Sequence, residues 1–367
     1  MITDRIKFNI FSFLSTFARS LIEIFISLYL FKNGFSIKYI LIFYLLENLF
    51  AVFLSYIFVR IGEKYKYSLV MYIGLICFIV LQVVLNKVVN SFSYILLISF
   101  LYSLYRRGYW VSRRFYISNV IPKKDSSEPF SIILILSQVA SILSGYVGAI
   151  LLDKSSILTL TIISSALLFV SVIPLVKIKY KASNTKIELI KNIKKYNVKN
   201  YLSFSLYELN NLLTFLFPLY VAIYIKNTYV MAGTINAVNN LAIIGFIFIY
   251  GKVLKRKNYF VLSTILLIIM YFTKLFMYNY LILVITFFEG IVKVMQNQSV
   301  NKIYFENQNG MDLTHYNLIY QLQESIIRVI VVTPLIVIND IKTVIIIVLI
   351  VISAELYQYN KIKDIRK

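Results

Sequence analysis

Residues 8–31 read FNIFSFLSTFARSLIEIFISLYLF, an apolar run long enough to cross a bilayer as a helix yet interrupted near its middle by Arg19 and Glu23. An ionised side chain in hydrocarbon costs at least about 2.5 kcal/mol, so such residues face a wet cavity or an opposite charge. The run is too long for the core of a cleavable leader and no small-residue cleavage site follows it, so it reads as a permanent membrane helix. Apolar segments of similar length recur along the chain. Five more carry interior charge: Glu47 in the second, Arg106 and Arg107 in the fourth, Glu208 in the seventh, Glu289 and Lys293 in the tenth, and Glu324 and Arg328 in the eleventh. Costly residues repeated at mid-membrane depth mark a pathway, and a solute transporter is the first reading.

Composition agrees with this. Apolar residues make up 59% of the 367-residue chain and charged residues 15%, far from the balance of a soluble domain. The apolar runs are continuous rather than alternating, which selects helices over a closed barrel. The segments fall at 8–31, 39–59, 68–85, 92–120, 130–152 and 158–176, then, after a polar break, at 201–225, 229–250, 259–276, 280–300, 316–338 and 343–359. The expected fold is therefore all-α, with twelve transmembrane helices in two six-helix halves, residues 1–176 and 201–367, joined by a basic linker, 177–200. Within the linker, Ile187, Ile190 and Ile193 recur at helical spacing among lysines. That suits either a helix lying on an anionic leaflet or a solvated connector. Duplicated six-helix halves place a substrate site at their interface near mid-membrane.

The net charge of +22 raises the question of a nucleic-acid partner. Its distribution answers it. With the amino terminus inside, the inner loops and ends hold 24 lysines and arginines and the outer loops 6 (Lys32, Lys38, Lys87, Lys154, Lys226 and Lys342). That bias predicts two cytoplasmic termini in a multi-pass protein of the cell membrane and needs no nucleic acid. One cysteine, Cys77, and one histidine, His315, are too few for a disulfide framework or a zinc cluster, so no metal or other cofactor is expected. A glycine loop of the Gly-x-x-x-x-Gly-Lys type is missing, so the energy source is an ion gradient rather than ATP. No filter-like segment suggests a channel.

The turn after the second segment runs Arg60, Ile61, Gly62, Glu63, Lys64, Tyr65, Lys66, and the turn after the eighth runs Gly251, Lys252, Val253, Leu254, Lys255, Arg256, Lys257. These turns and the six-plus-six layout resemble the major facilitator superfamily, whose loop between helices 2 and 3 carries a Gly-x-x-x-Asp-Arg-x-Gly-Arg-Lys-like pattern echoed between helices 8 and 9. Arg60, Gly62 and Lys64 match the first copy, and Gly251 and Arg256 the second. Ser55, Val59 and Glu63 stand where the pattern has glycine, aspartate and a basic residue. Residues 121–125, Ile-Pro-Lys-Lys-Asp, look like the family's connection from helix 4 to helix 5. The resemblance implies a gating role for the two turns and peripheral positions for helices 3, 6, 9 and 12. Those four segments carry no Asp, Glu, Lys or Arg at their centres, with Lys274 and Glu355 near segment ends. The Gly-Pro signature of the family's drug antiporters is missing from the fifth segment, where Gly145 and Gly148 suit close helix packing instead.

Three opposite-sign pairs are spaced by four: Arg19 with Glu23, Glu289 with Lys293, and Glu324 with Arg328. Such residues share one helix face, so each pair either neutralises itself or opens toward a ligand. The fourth segment holds Arg106, Arg107, Arg113 and Arg114 with no acid of its own. Arg106 and Arg107 sit at its centre and are candidates to bind a carboxylate or phosphate on the solute. Arg113 and Arg114, one heptad on, are expected to snorkel to the headgroups. Glu47 and Glu208 lack a helical-spaced partner. They are candidates for carrying a coupling proton or for pairing with another helix, for instance Glu47 with an arginine of the fourth segment. Amides in segments 7, 8, 10 and 11, among them Asn210, Asn211, Asn236, Asn239, Asn240, Gln296, Asn297, Gln298, Gln321 and Gln323, suit a solute or helix contacts.

The favoured function is a secondary carrier, monomeric and coupled to a proton or another ion, that moves a small polar, anionic or amphipathic solute by alternating access among membrane lipids. The alternative is a multi-pass enzyme or flippase acting on lipid-linked glycans. The short outer loops weigh against the enzyme.

Overall fold

The computed structural model describes residues 4–120, 127–176, 198–226, 228–253, 259–277, 281–307 and 313–365, and these form twelve helical spans. The first is broken into α1a (Asp4–Ser20) and α1b (Ile26–Lys32), with a 3-10 turn at Glu23–Phe25 between them. The first half continues with α2 (Ile37–Lys64), α3 (Tyr67–Leu85), α4 (Phe92–Val120), α5 (Ser127–Lys154) and α6 (Ile157–Val176). The second consists of α7 (Val198–Tyr224), α8 (Tyr229–Val253), α9 (Phe260–Lys274), α10 (Leu281–Asn307), α11 (Leu313–Leu335) and α12 (Ile341–Ile365). Ten of the helices are long and apolar enough to cross a membrane, and α9 is a shorter apolar one.

Eleven spans run as single helices close to their expected limits. The largest extensions are at the ends of α10 and α12, where helix continues through Asn307 and Ile365. Hydropathy stops reporting a helix at the edge of the bilayer, while the i to i−4 hydrogen bonds carry on into water. The exception is α1. Its break carries neither proline nor glycine, the usual causes. What lies against it is Gly148 of α5, so close that a Cβ there would come within 2.4 Å of the Leu21 carbonyl oxygen.

Helices α3, α6, α9 and α12 find their main packing partners within their own half and turn residues such as Val83, Phe169, Ile269 and Ile350 outward. The halves meet where α5 packs on α8, α2 on α11, α1b on α7, and α4 on α11. The α5–α8 crossing is built from small residues, since a Cβ on Gly233 would stand 2.9 Å from the Gly145 carbonyl oxygen and from the Ala149 methyl. In lipid the hydrophobic effect does not drive helices together, and close backbone approach of this kind supplies the packing.

At the end of the bundle opposite the chain termini, Asp153 of α5 accepts hydrogen bonds from the Tyr229 and Val230 N–H groups, 3.4 and 3.0 Å, capping α8 across the boundary between halves. Lys32 stands 3.7 Å from the same carboxylate and 3.8 Å over the Tyr229 ring. Phe25, Leu28, Ala149, Ala222 and Ala232 pack beneath this latch.

The basic stretch 177–197, the 121–125 connection and Arg256 lie outside the described residues. The first basic stretch, expected as a turn, is the C-terminal end of α2 up to Lys64; there exposed Arg60 donates to the Tyr56 hydroxyl at 3.1 Å, Gly62 is pressed against the Tyr67 ring, and the Lys64 ammonium lies 5.2 Å from the centre of the Tyr65 ring. Gly251 falls within α8.

Candidate functional site

A cavity of about 680 Å³ lies between the halves. Its walls come from α1, α2, α4 and α5 on one side and from α7 to α11 on the other. Six bases line it, Arg106, Arg113, Arg114, Lys274, Lys293 and Arg328, against four carboxylates, Glu23, Glu208, Glu289 and Glu324. Asn211, Asn236, Asn239, Asn297 and Gln138 add amides, and Tyr44, Tyr102, Trp110, Tyr207, Tyr271 and Tyr320 add aromatic surface.

The charges gather into three groups. In the first, Arg19 donates to Glu23 at 3.1 Å, the spacing-of-four pair that the sequence proposes. Two tyrosines of α4 complete it: Tyr102 and Tyr105 donate to the two oxygens of Glu23 at 3.0 and 2.9 Å. The Arg19 guanidinium lies 4.0 Å from the centre of the Tyr109 ring, a cation–π contact that, with its ion pair, makes this buried cation tolerable. Glu23 reaches the cavity, whereas Arg19 is not among the residues lining it.

The second group centres on Glu324 of α11. Arg328 lies 2.8 Å from it, as the spacing proposes, and three arginines of α4 converge from the other half: Arg106 at 3.7 Å, Arg107 at 3.6 Å and Arg114 at 3.5 Å. Arg106 is also held by Glu47 of α2 at 3.0 Å, and Arg328 by Glu208 of α7. Both carboxylates without a partner on their own helix thus have an arginine from a neighbouring one. Glu208 faces the cavity, while Glu47 is fully buried behind Arg106. Of the two central arginines, Arg106 lines the cavity and Arg107, 2% exposed, stands behind it.

In the third group Glu289 of α10 is shared by two ammoniums. Lys293 is 2.6 Å away, the third spacing-of-four pair, and Lys274 of α9 pairs with the other oxygen. Tyr271 donates to Glu289 at 2.9 Å, and Lys293 donates to Thr214 of α7 at 3.0 Å. Lys274 is an exception on a helix that is otherwise peripheral. It sits in the last turn of a peripheral helix, yet its chain is 1% exposed and runs inward along the Phe217 ring, 4.3 Å from the ring centre. Nothing in its own helix signals this, because its partner is fifteen residues away on α10.

A correction concerns Arg113 and Arg114, which do not snorkel to the headgroups. Arg114 reaches Glu324 and lies 4.2 Å from the centre of the Tyr320 ring, and Arg113 donates to Ser12 and Ser137 at 3.3 Å each. Both line the cavity. An interior acceptor competes well with the headgroup layer once hydroxyls and a carboxylate from α1, α5 and α11 are within reach. Of the amides, Asn236 and Asn240 join α8 to Ser141 of α5, and Gln296 joins α10 to Thr264, so helix contacts account for part of that set. Glu355 accepts from Ser205 at 2.5 Å, away from the cavity.

Comparison with known proteins agrees with this architecture. No curated protein sequence matches the chain. Among solved structures it is similar to the nucleoside transporter NupG, with a TM-score of 0.68, 15% identity, and coverage of 98% of this chain and 99% of that one. A point-mutant form of NupG matches with the same score and coverage at 14% identity. At that identity the likeness shows the fold. The profile of the Major Facilitator Superfamily matches residues 8–326, most of the chain, and with the twelve spans and the cavity between halves it sets aside the glycan-enzyme alternative. The chain belongs to the major facilitator superfamily and is a secondary transporter, not an enzyme.

Proposed function

We propose that this carrier acts as a monomer in the cell membrane with both termini cytoplasmic, and moves a small anionic or amphipathic solute by alternating access, coupled to a proton. The observation that carries the reading is the charge of the central cavity, where six bases face four carboxylates. A water-excluding step with that surplus is unfavourable unless an anion neutralises it. Residues 1–176 and 201–367 are the two moving halves, with 177–200 as their linker. The turns bearing Arg60, Gly62 and Lys64, and Gly251 and Arg256, act as gating loops.

Arg19, Glu23, Arg106, Arg107, Glu289, Lys293, Glu324 and Arg328 form the charged lining and its support. Between the two candidate proton carriers, Glu208 is preferred to Glu47 because it borders the cavity, where water delivers protons from each side in turn. The guanidinium beside Glu208 holds the carboxylate ready for release when solute or motion draws Arg328 away.

Proteoliposomes with an imposed pH gradient test this against a panel of anionic, zwitterionic, cationic and neutral solutes, nucleosides included. The expected result is gradient-driven accumulation of an anionic member. Glu208→Gln is expected to abolish accumulation while leaving solute exchange in place. Transport of only cationic or neutral solutes would remove the charge argument, and gradient-driven accumulation by Glu208→Gln would remove the proton assignment.

A further inference from the structure

Five of the six bases on the cavity wall have a carboxylate partner: Arg106, Arg114 and Arg328 have Glu324, and Lys274 and Lys293 have Glu289. Arg113 differs. Among the described residues no carboxylate pairs with it, although its side chain belongs to a residue only 8% exposed. Its contacts are neutral. Nη2 donates to the Ser12 and Ser137 hydroxyls, 3.3 Å each, Tyr109 is a third neutral neighbour, and the buried Nε has no acceptor. The two serine hydroxyls are 3.2 Å apart and so also bond to each other. Arg19 and Arg114 add to the positive field at this point. A buried guanidinium supported by hydroxyls and an aromatic ring, with no carboxylate paired to it among the described residues, is a costly arrangement, and it lies at the edge of the cavity.

The surroundings define what fits there. Trp110 and Ile117 lie three residues before and four after Arg113, on the same face of α4, and both line the cavity. The guanidinium carbon stands 5.1 Å from the centre of the Trp110 ring. Leu134 and Gln138 of α5, flanking the Ser137 that Arg113 contacts, line the same cavity. Arg113 thus stands with one amide beside apolar and aromatic lining.

We propose that Arg113 is the receptor for a carboxylate or phosphate group of the transported solute, and that Trp110, Ile117 and Leu134 contact its apolar or aromatic body. The assignment rests on the carrier reading above and names the substrate class, an amphipathic organic anion. It moves the anion contact from Arg106 and Arg107, whose charge is met by Glu47 and Glu324, to the arginine one heptad further along α4.

Trp110 is the chain's single tryptophan, so its emission reports this subsite without labelling. The full chain in an uncharged detergent is titrated with benzoate and with phenyl phosphate, and with benzamide as the neutral counterpart. Saturable change with either anion and none with benzamide is expected, with apparent affinity weakened roughly tenfold or more in Arg113→Gln. Arg113→Lys retains the charge without the planar fork and is expected to fall between the two. It also serves as the test should the glutamine variant fail to fold. A wild-type emission that none of these anions changes, or an unaltered response in the variants, overturns the assignment. So does an emission change produced only by phosphatidylglycerol in nanodiscs, which would make the anion a lipid headgroup. If proteoliposomes carry an amphipathic anion equally well with Arg113→Gln, the subsite is wrong and the carrier reading stands. If no solute is moved by either protein, the carrier reading itself fails.

Discussion

Two lysines sharing one glutamate make an asymmetric prediction. Removing the charge of Glu289 by Glu289→Gln leaves Lys274 and Lys293 facing each other, both within the protein, with a neutral amide oxygen and the Tyr271 and Thr214 hydroxyls in place of a carboxylate. At the 2.6 Å of the Lys293 contact, a single pair is worth about 6 kcal/mol of Coulomb attraction at an effective dielectric of about 20, most of which offsets desolvation. Breaking a buried pair from one side therefore costs about 3–5 kcal/mol. Lys274→Met has a different outcome. It removes the surplus cation, leaves Glu289 paired with Lys293, and puts an unbranched apolar chain along Phe217, so its cost is expected to stay below about 1.5 kcal/mol. In the double variant one ammonium is left unpaired instead of two, and the two losses are expected not to add. The measurement is equilibrium unfolding in mixed detergent micelles followed by circular dichroism, for wild type, both single variants and the double. A Glu289→Gln variant within about 1 kcal/mol of wild type, or a Lys274→Met variant costing as much as Glu289→Gln, would refute the shared-carboxylate account.

Other perturbations test the architecture around the site. Asp153→Ala removes the cap that the first half places on α8, worth about 1 kcal/mol, and is expected to raise the reactivity of a cysteine at Ala232 toward an impermeant maleimide about fivefold in a Cys77→Ser background; unchanged reactivity would show that the latch does not hold that end closed. Gly148→Val drives a side chain into the Leu21 carbonyl oxygen and is expected to cost about 1–3 kcal/mol in the same unfolding assay, with a neutral result refuting the close α5–α1 contact. Arg60→Ala removes an exposed guanidinium bonded to Tyr56 and is expected to change stability by less than about 0.5 kcal/mol while reducing transport; loss of both together would make the turn structural rather than gating.

The parts of the site that could be read in the sequence are those set by one helix. Arg19–Glu23, Glu289–Lys293 and Glu324–Arg328 all form, because a separation of four places two side chains on one face whatever surrounds them. The partners of Glu208 and Lys274 were not legible, since both come from other helices and no periodicity relates them. For Arg113 and Arg114, position along α4 gave their depth toward the end of the segment but not the direction of their side chains, which depends on Ser12, Ser137 and Glu324. The break in α1 was hidden for the same reason. Residues 8–31 contain no helix breaker, and Gly148, the glycine against the break, belongs to α5. The fold was more accessible than the site, because twelve apolar runs and a basic linker are properties of the chain taken segment by segment.

The ion pairs also divide by whether they lie within a half or between halves. Arg106–Glu47, Arg328–Glu208, Arg19–Glu23 and the Lys274–Glu289–Lys293 group each lie within one six-helix half, and a rigid rocking of the halves leaves them intact. Glu324 is different: its 2.8 Å contact to Arg328 is internal, but its contacts to Arg106, Arg107 and Arg114 cross the boundary at 3.5–3.7 Å. Charges about 4 Å apart attract by about 4 kcal/mol in a protein-like environment and about 1 kcal/mol in water. Each crossing contact therefore weakens steeply once water enters the gap, and the arginines regain hydration as it does. A boundary held by several longer contacts to one carboxylate can open without breaking any short pair, and it leaves neither half with a carboxylate stripped of all its partners.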